Sequence, residues 1–599
     1  MKTPFLLTWL ALSFVAGLSP LSAATASRPN VVILLADDAG WGDYSQSGNL
    51  QVRTPNIDSL ARGGVSLDRF FVCPVCSPTR AEFLTGRYYP RTGVRGVSSG
   101  TERFSPQERT LAHAFKDAGY ATGIFGKWHS GAQWPYHPNA RGFDEFVGYT
   151  SGHWGEYFDP PLEHNGQPIR GKGYIVDYLT DRALEFINKN REQPFLCYVP
   201  FTTPHSPWSV PAADWDRFKA KTLTQSATDP SKENQDHTRA ALAMMENQDA
   251  NVGRILQRLE DLKLADNTIV VYFTDNGPNT ARWNGGMKGI KGSTDEGGIR
   301  SPLFLRWPAK VAAGRVVKEI SGAIDLLPTL TTLAGIPLPG DEPLDGLDLS
   351  TRFLGAQTTS PYRMLFSTWN GGFSVRTPTH RLGPDGELYD MIADPGQTKP
   401  VTAQDPKLTA RLAAALKAWK TEMYGENPPA KSATDWGDVD PRPLPVGYRE
   451  FPRSFLPASE AIPHGTVRRS TASPNSSYFV NWTSPADRMV WHLDVHTDGN
   501  YAVEILYTCP LPDAGSTIEL SHGQSRLRGK VTPGWDPPLY TNQDTLPRAP
   551  TQSKMKEFRT LSLGPISLKA GEGPLTLHAL EIPGRQVMDV RGIALTLQP

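Results

Sequence analysis

The chain has 599 residues, with 61 basic side chains balanced by 61 acidic ones. Zero formal charge excludes a polybasic nucleic-acid binder and a basic membrane-surface protein. The length allows more than one domain, and four cysteines in so long a chain exclude a disulfide framework.

Residues 1–26 carry Lys2, an apolar run from Phe5 to Leu18 and a small-x-small site at Ala24-Thr25-Ala26. This pattern predicts a cleaved secretory signal, hence an exported periplasmic or extracellular protein with no membrane span after cleavage. NVVILLADD (30–38) is an apolar run ending in two acids, the pattern of a buried parallel strand that delivers its carboxyl end to a site. FFVCPVCSPTRAEFLTGRYYP (70–90) holds Cys73 and Cys76 ahead of a helical run, with Pro78 marking the helix N1 position. Taken alone, that C-x-x-C pair admits a redox dithiol, a metal clip or one special cysteine beside a bystander. TLAHAFKDAGYATGIFGKWH reads as helix, glycine turn and strand, ending in Lys127 and His129. SGHWGEYFDPPLEHNG (151–166) is rich in aromatics and histidine. TDRALEFINKN is helical, PFLCYVPFTTPH is a strand ending at His205, and ALAMMENQDANVGRILQRLEDLKL is a long amphipathic helix. NTIVVYFTDNG is a strand ending in Asp275 and Asn276. The alternation predicts an α/β fold, a doubly wound and mostly parallel sheet flanked by helices, with ligands outside the carboxyl ends of the strands.

The rhythm then changes. GELYDMIADPGQT reads as strand and turn, and PKLTARLAAALKAWKTEMYG as a helix, giving a smaller C-terminal subdomain up to residue 425. Residues 426–464 begin with a Pro- and Asp-rich stretch without periodicity and are expected to be a linker. Residues 465–599 carry short strands at regular spacing, which predicts an appended all-β jelly-roll sandwich. MVWHLDVHTDGNYAVEILYTC reads there as two alternating strands around an Asp498-Gly499-Asn500 turn. Trp482, Trp491, Trp535 and Tyr540 are candidates for a glycan-binding platform, with a purely structural sandwich as the equal alternative. Asn475 and Asn481 head glycosylation sequons. Cys197 and Cys509 sit in strand patterns and read as inert core thiols.

Chemistry collects at the strand ends. Asp37, Asp38, Asp275 and Asn276 offer hard oxygen ligands suited to Ca²⁺ or Mg²⁺ and unsuited to zinc. Arg80, Lys127 and Lys291 are cations, and His129 and His205 can move protons near neutral pH. Such a set would bind a tetrahedral oxyanion ester and cleave it with help from a metal. Singly, each has a bland reading as a turn or a solvated strand end; the ordered set along one α/β chain is the specific signal.

With those residues in view, the chain resembles the type I sulfatases of the alkaline phosphatase superfamily. CSPTRAEFLTGR (76–87) is similar to their signature C-x-[PA]-[ST]-R followed by T-G-R, with Thr79 where Ser is commoner. NVVILLADDAGWGD, TPNIDSLARGGV, GIFGKWH, TPHSPW, FTDNG and KGSTDEGGIRSP match family blocks in order, over residues 28 to 425. The resemblance implies that a maturation enzyme oxidises Cys76 to formylglycine. Cys73 lacks a proline and an arginine at the required offsets and reads as a half-buried bystander. It further implies Ca²⁺ held by Asp37, Asp38, Asp275 and Asn276, with Asp275 also as base or orienter for the attacking hydroxyl and Arg80 holding the hydrated aldehyde. Lys127 and Lys291 would clamp sulfate, His205 would protonate the leaving alcohol, and His129 would collapse the sulfo-enzyme. His153, Trp154, His164, Trp283 and Lys288 are weaker candidates for substrate contact, and Trp134 and Trp208 weaker again. The expected substrate is a sulfated carbohydrate. An aryl sulfate, a phosphonate or phosphate ester, and an inactive glycan-binding homologue are the alternatives.

Overall fold

The computed structural model describes residues 28–356, 362–426, 439–532, 534–540, 543–552 and 554–599, with Met1. The expected signal, residues 1–26, and most of the Pro/Asp-rich stretch lie outside the described residues. No helix among the described residues is long and apolar enough to cross a membrane.

Ten strands form one sheet: β1 (Asn30–Asp37), β2 (Val65–Phe71), β3 (Ala121–Lys127), β4 (Glu145–Tyr149), β5 (Pro161–His164), β6 (Gln167–Arg170), β7 (Phe195–Pro204), β8 (Thr268–Thr274), β9 (Arg300–Arg306) and β10 (Arg315–Gly322). Their order is β10-β2-β9-β8-β1-β7-β3-β4-β5-β6. The centre, β8-β1-β7-β3-β4, is parallel, and β9 runs against both of its neighbours. β1 shows why a continuous apolar run becomes a central strand. Val32, Leu34 and Ala36 join one core, whereas Val31, Ile33 and Leu35 join the other. Each face is covered by helices: α1 (Pro55–Arg62), α4 (Ile175–Lys189) and α6 (Gln235–Asp261) on the first, α2 (Cys76–Thr85) and α3 (Leu111–Asp117) on the second. Each fully buried Val, Leu or Ile contributes about 1.5–3 kcal/mol, so the central strands are fixed from both sides and their polar carboxyl ends are held rigidly.

A four-stranded antiparallel sheet follows, β11 (Leu365–Trp369), β12 (Gly372–Arg376), β13 (His380–Leu382) and β14 (Leu388–Asp390). Helix Pro406–Tyr424 packs on it through Leu412 beside Val375, Leu382 and Leu388.

The C-terminal region is two packed sheets. One is β15 (Leu444–Val446), β20 (Arg488–Val495), β25 (Gly571–Glu581), β22 (Thr517–His522) and β23 (Ser525–Lys530), with β17 (Ile462–His464) beside β20. The other is β18 (Arg468–Arg469), β19 (Phe479–Val480), β26 (Asp589–Leu597), β21 (Gly499–Thr508) and β24 (Arg559–Leu568), with β16 (Arg453–Pro457) beside β26. Two expectations change here. Strands β15, β16 and β17 lie inside the stretch expected to be a linker, and short prolyl strands pairing at sheet margins leave no periodic signal. The Asp498-Gly499-Asn500 segment does not close a hairpin: β20 pairs with β25 and β21 with β24 and β26, so the chain crosses between the sheets. Inward residues on both strands explain it, because Trp491 and Leu493 face Val503 and Ile505 across a shared core. Trp482 and Trp491 belong to that core at 1% and 0% exposure, so the four-residue aromatic platform does not form. Trp535 instead packs under Arg559.

Candidate active site

The site starts at the carboxyl ends of two adjacent strands. The register Ala36↔Thr274 brings Asp37 and Asp38 beside Asp275 and Asn276. Asp38 sits at φ 68°, outside the strand, and its N–H donates to Asp275 Oδ1 at 3.1 Å. Arg282, which no sequence motif singled out, fixes this turn: Nη2 donates to the Asp38 carbonyl at 2.9 Å while Nε and Nη2 grip Asp43.

Helix α2 brings the signature. It begins at Cys76, two residues before the expected start, and Pro78 falls within its first turn. The missing N–H of proline costs nothing anywhere in that turn, so Pro78 marks the turn without fixing its first residue. Thr79 ties the helix down, donating to the Asp275 carbonyl at 2.6 Å and accepting from the Cys73 N–H at 2.8 Å. Cys73 is buried rather than half-buried, and all four cysteines are free thiols. Burial, with Glu82 adding to it, pushes the Cys73 thiol well up. Burial likewise pushes Cys76 up to about 12 against the pull of Lys127 and Lys291, so its unmodified thiol stays protonated and is a poor nucleophile.

Cations interleave with the acids. Arg80 donates through Nη2 to Asp275 Oδ2 at 2.7 Å and through Nη1 to the Lys127 carbonyl at 2.9 Å. Lys127 Nζ meets both oxygens of Asp37, at 2.9 and 2.8 Å. Lys291 Nζ lies 2.6 Å from Asp38 Oδ1, and His205 Nε2 lies 3.5 Å from Asp38 Oδ2. Burial pushes Asp38 upward, but His205, Lys291 and Lys127 together hold it below the usual carboxylate range. Burial and Asp37 hold Asp275 above that range, with Arg80 opposing. Burial takes His205 down to about 4, against Asp38, and takes His129 well below neutral.

The donor set fits a hard cation. Ligand atoms of Asp37, Asp38, Cys76 and Asp275 all lie within 4.8 Å of one another. Asn276 Oδ1 is buried without a hydrogen-bond partner, although its amide N–H donates to Asp38 Oδ1 at 2.9 Å. A buried orphan oxygen beside three carboxylates is what a divalent ion would satisfy.

Two histidines have assigned orientations. His129, at φ 62°, turns Nε2 to the Val97 carbonyl at 2.8 Å, which leaves the buried Nδ1 unpartnered. Gly152 allows this, because a Cβ there would stand 2.1 Å from His129 Nε2. His205 Nδ1 meets the Ser206 carbonyl at 2.6 Å, leaving Nε2 toward Asp38.

Asp38, Cys76, His129, His205 and Lys291 open on a cavity of 540 Å³, while Asp37, Arg80, Lys127, Asp275 and Asn276 form the buried layer behind them. Of the weaker candidates, His153 lines the cavity with an unpartnered Nε2, its ring 5.2 Å from that of His205. Trp154 stacks on Tyr149 at 4.9 Å and does not line it. His164 ends strand β5 near Glu145, and Lys288 lies over the Tyr389 ring, both outside the cavity walls. Trp283 is not a wall residue, Trp134 stacks on Phe451, and Trp208 is buried. Walls that the sequence did not indicate are Asn279, Trp369 and Asn370, and, from the sandwich, Ser473, Asn475 and Gln552. Trp369-Asn370-Gly371, a β11–β12 hairpin tip with Asn370 at φ 46°, was the one readable signal among them.

Residues 29–336 match the family model described as Sulfatase. The chain is 33% identical over 376 residues to the N-acetylgalactosamine-6-sulfatase of Canis lupus familiaris, covering 57% of this chain and 69% of that protein. It is 32% identical over 448 residues to arylsulfatase A of Homo sapiens, covering 67% and 83%. Among solved structures, "Ps i-CgsB in complex with k-i-k-neocarrahexaose" superposes with a TM-score of 0.61 at 26% identity, over 68% of this chain and 97% of that one.

Proposed function

The chain belongs to the sulfatase family of sulfuric ester hydrolases, and from that premise we propose an exported, calcium-dependent carbohydrate sulfatase that works through formylglycine made from Cys76. The observation that carries the reading is the position of Cys76. It is the first residue of α2, touches the carboxylate cluster, and opens on the same cavity as His129, His205 and Lys291. The helix N-terminus adds partial positive charge where a sulfate would bind.

Asp37, Asp38, Asp275 and Asn276 would hold the calcium, which when bound supplies positive charge for sulfate oxygens and for an ionising hydroxyl. A separate maturation enzyme, bringing its own two-electron oxidant, converts the Cys76 CH2–SH to an aldehyde with release of the sulfur, and water adds to give a geminal diol. One hydroxyl, oriented by Arg80, gives its proton to Asp275 and forms a bond to sulfur as the bond from sulfur to the alcohol oxygen breaks. His205, in the cationic state that the Asp38 carboxylate favours and with Lys291 beside it, gives its Nε2 proton to the departing alcohol. His129, whose Nε2–H is engaged by Val97, takes the proton of the second hydroxyl on Nδ1. The carbonyl then re-forms and sulfate leaves with the bonding pair. Lys127 and Lys291, paired with Asp37 and Asp38 here, would turn part of their charge to sulfate.

The carbohydrate assignment draws support from the printed names of two relatives, an N-acetylgalactosamine-6-sulfatase and a protein crystallised with neocarrahexaose. Trp369 on the cavity wall adds an aromatic face of the kind that stacks on sugars. A second reading, a small aryl sulfate as substrate, draws on the arylsulfatase A relative. Export rests on residues 1–26. Sulfate release from a panel of sulfated saccharides and 4-nitrophenyl sulfate tests the assignment: a saccharide should have the higher kcat/KM, and preference for the aryl ester over all saccharides would refute it.

A further inference from the structure

Ser473, Asn475 and Gln552 of the sandwich line the cavity that holds Cys76. They arrive on two long connections, one between β18 and β19 and one between β23 and β24. Both are fastened to the α/β domain. Asn475 Nδ2 donates to the Val97 carbonyl at 3.1 Å, the same oxygen that His129 Nε2 meets. Ser476 Oγ donates to the His153 carbonyl at 2.7 Å. Gln552 Nε2 donates to Ser206 Oγ at 2.5 Å, on the residue whose carbonyl orients His205. Arg548 Nη2 donates to the Gly155 carbonyl at 2.6 Å, and the Thr545 N–H to the Trp208 carbonyl at 2.9 Å. At 8% exposure and hydrogen-bonded to Val97, Asn475 is a cavity wall and not a glycosylation site.

With each amide group tied down through one N–H, the amide oxygens and the Ser473 hydroxyl are left to face the cavity. Asn475 Oδ1, Gln552 Oε1 and Ser473 Oγ have no hydrogen-bond partner among the described residues. Neutral groups pair with a sulfate far less strongly than the cationic side of the cavity does. They match the hydroxyl donors of a polyol.

We propose that the sandwich supplies the leaving-group subsite: Ser473, Asn475 and Gln552 accept hydrogen bonds from hydroxyls of the sugar whose sulfate faces Cys76. This rests on the carbohydrate reading above. It makes the sandwich the specificity-determining part of the active site, in place of a remote glycan-binding module or a passive brace. A site built to hydrogen-bond hydroxyls loses selectivity when its acceptors are removed.

The test uses full-length active enzyme carrying Asn475→Ala, Gln552→Ala or both, with neocarrahexaose, 6-sulfated N-acetylgalactosamine and 4-nitrophenyl sulfate as probes. The ratio of kcat/KM on the preferred saccharide to that on the aryl ester should fall about ten-fold per residue, and turnover of the aryl ester reports that the variant is folded. An unchanged ratio, including an equal fall on both substrates, would mean that the loops only brace His129 and His205, and would overturn the proposal. Wild-type preference for the aryl ester over both saccharides would instead overturn the carbohydrate reading, and the subsite with it.

Discussion

The two sides of the cavity are built differently. On the α/β side, Asp38, His129 and His205 follow rigid strand ends, Lys291 reaches in from the loop after β8, and all four are ionisable and sit in front of a fully buried layer of opposite charges. On the sandwich side, Ser473, Asn475 and Gln552 are neutral and lie on loops, and Asn475 and Gln552 each touch the α/β domain through a single side-chain hydrogen bond. Chemistry that moves charge at one atom needs preorganised charges and rigid supports. Choosing among alcohols needs only groups that can be exchanged without disturbing that machinery. On the proposed function, the contrast assigns turnover to the α/β side and selection to the sandwich.

That separation can be broken most forcefully at the two cysteines. Cys76→Ala should reduce steady-state turnover of every substrate by a factor on the order of 10⁴ or more. Cys73→Ser should retain most activity, and equal loss in both would point to a dithiol. Arg80→Lys should cost about 10²-fold in kcat on saccharide and aryl ester alike, because no lysine can bond Asp275 and the Lys127 carbonyl together; loss confined to saccharides would contradict the division. Chelation should slow both substrates in parallel and lower the melting temperature, with calcium restoring both. On the wall that the four-stranded sheet contributes, Trp369→Ala should lower saccharide kcat/KM by roughly ten-fold with a smaller change on the aryl ester.

The seam between the two regions gives the smallest effect. Glu460 of the sandwich is buried near Glu102, Arg103 and Asp440, with Gln133 as a hydrogen-bond partner. Burial raises its pKa, Arg103 opposes, and Glu102 adds to the rise. An acid whose folded pKa lies above its unfolded value contributes least once pH passes the folded value. Stability should therefore fall as pH rises from about 4.5, the unfolded range, through the raised value in the fold. Glu460→Gln should remove that dependence, stabilising the protein by roughly 1 kcal/mol at pH 8 and hardly at pH 5. Thermal unfolding at both pH values measures it, and equal shifts at the two would discount the titration.

What could be read from the sequence follows the same division. Strand ends such as ADD and TDNG announce themselves, because a buried strand must be apolar until it meets solvent or a site. All the catalytic and metal candidates on the α/β side consequently meet in one place, from strands and loops as far apart as Asp37 and Lys291. Ser473, Asn475 and Gln552 carry no such signature. They are small polar residues in aperiodic loops, and their partners, Val97 and Ser206, lie hundreds of positions away. Met489, Trp491, Leu493 and Val495 alternate in phase along β20, which marks Trp491 as a core residue rather than a binding platform. The early start of α2 was not avoidable from Pro78 alone, since proline is tolerated throughout a helix's first turn.

The most direct test of the central claim is the chemical state of residue 76 in active enzyme, read by peptide mass and by reaction with a hydrazide label. An aldehyde at that position, in a fraction that rises with specific activity across preparations, is the expected result. A plain cysteine at position 76 in fully active enzyme would contradict it.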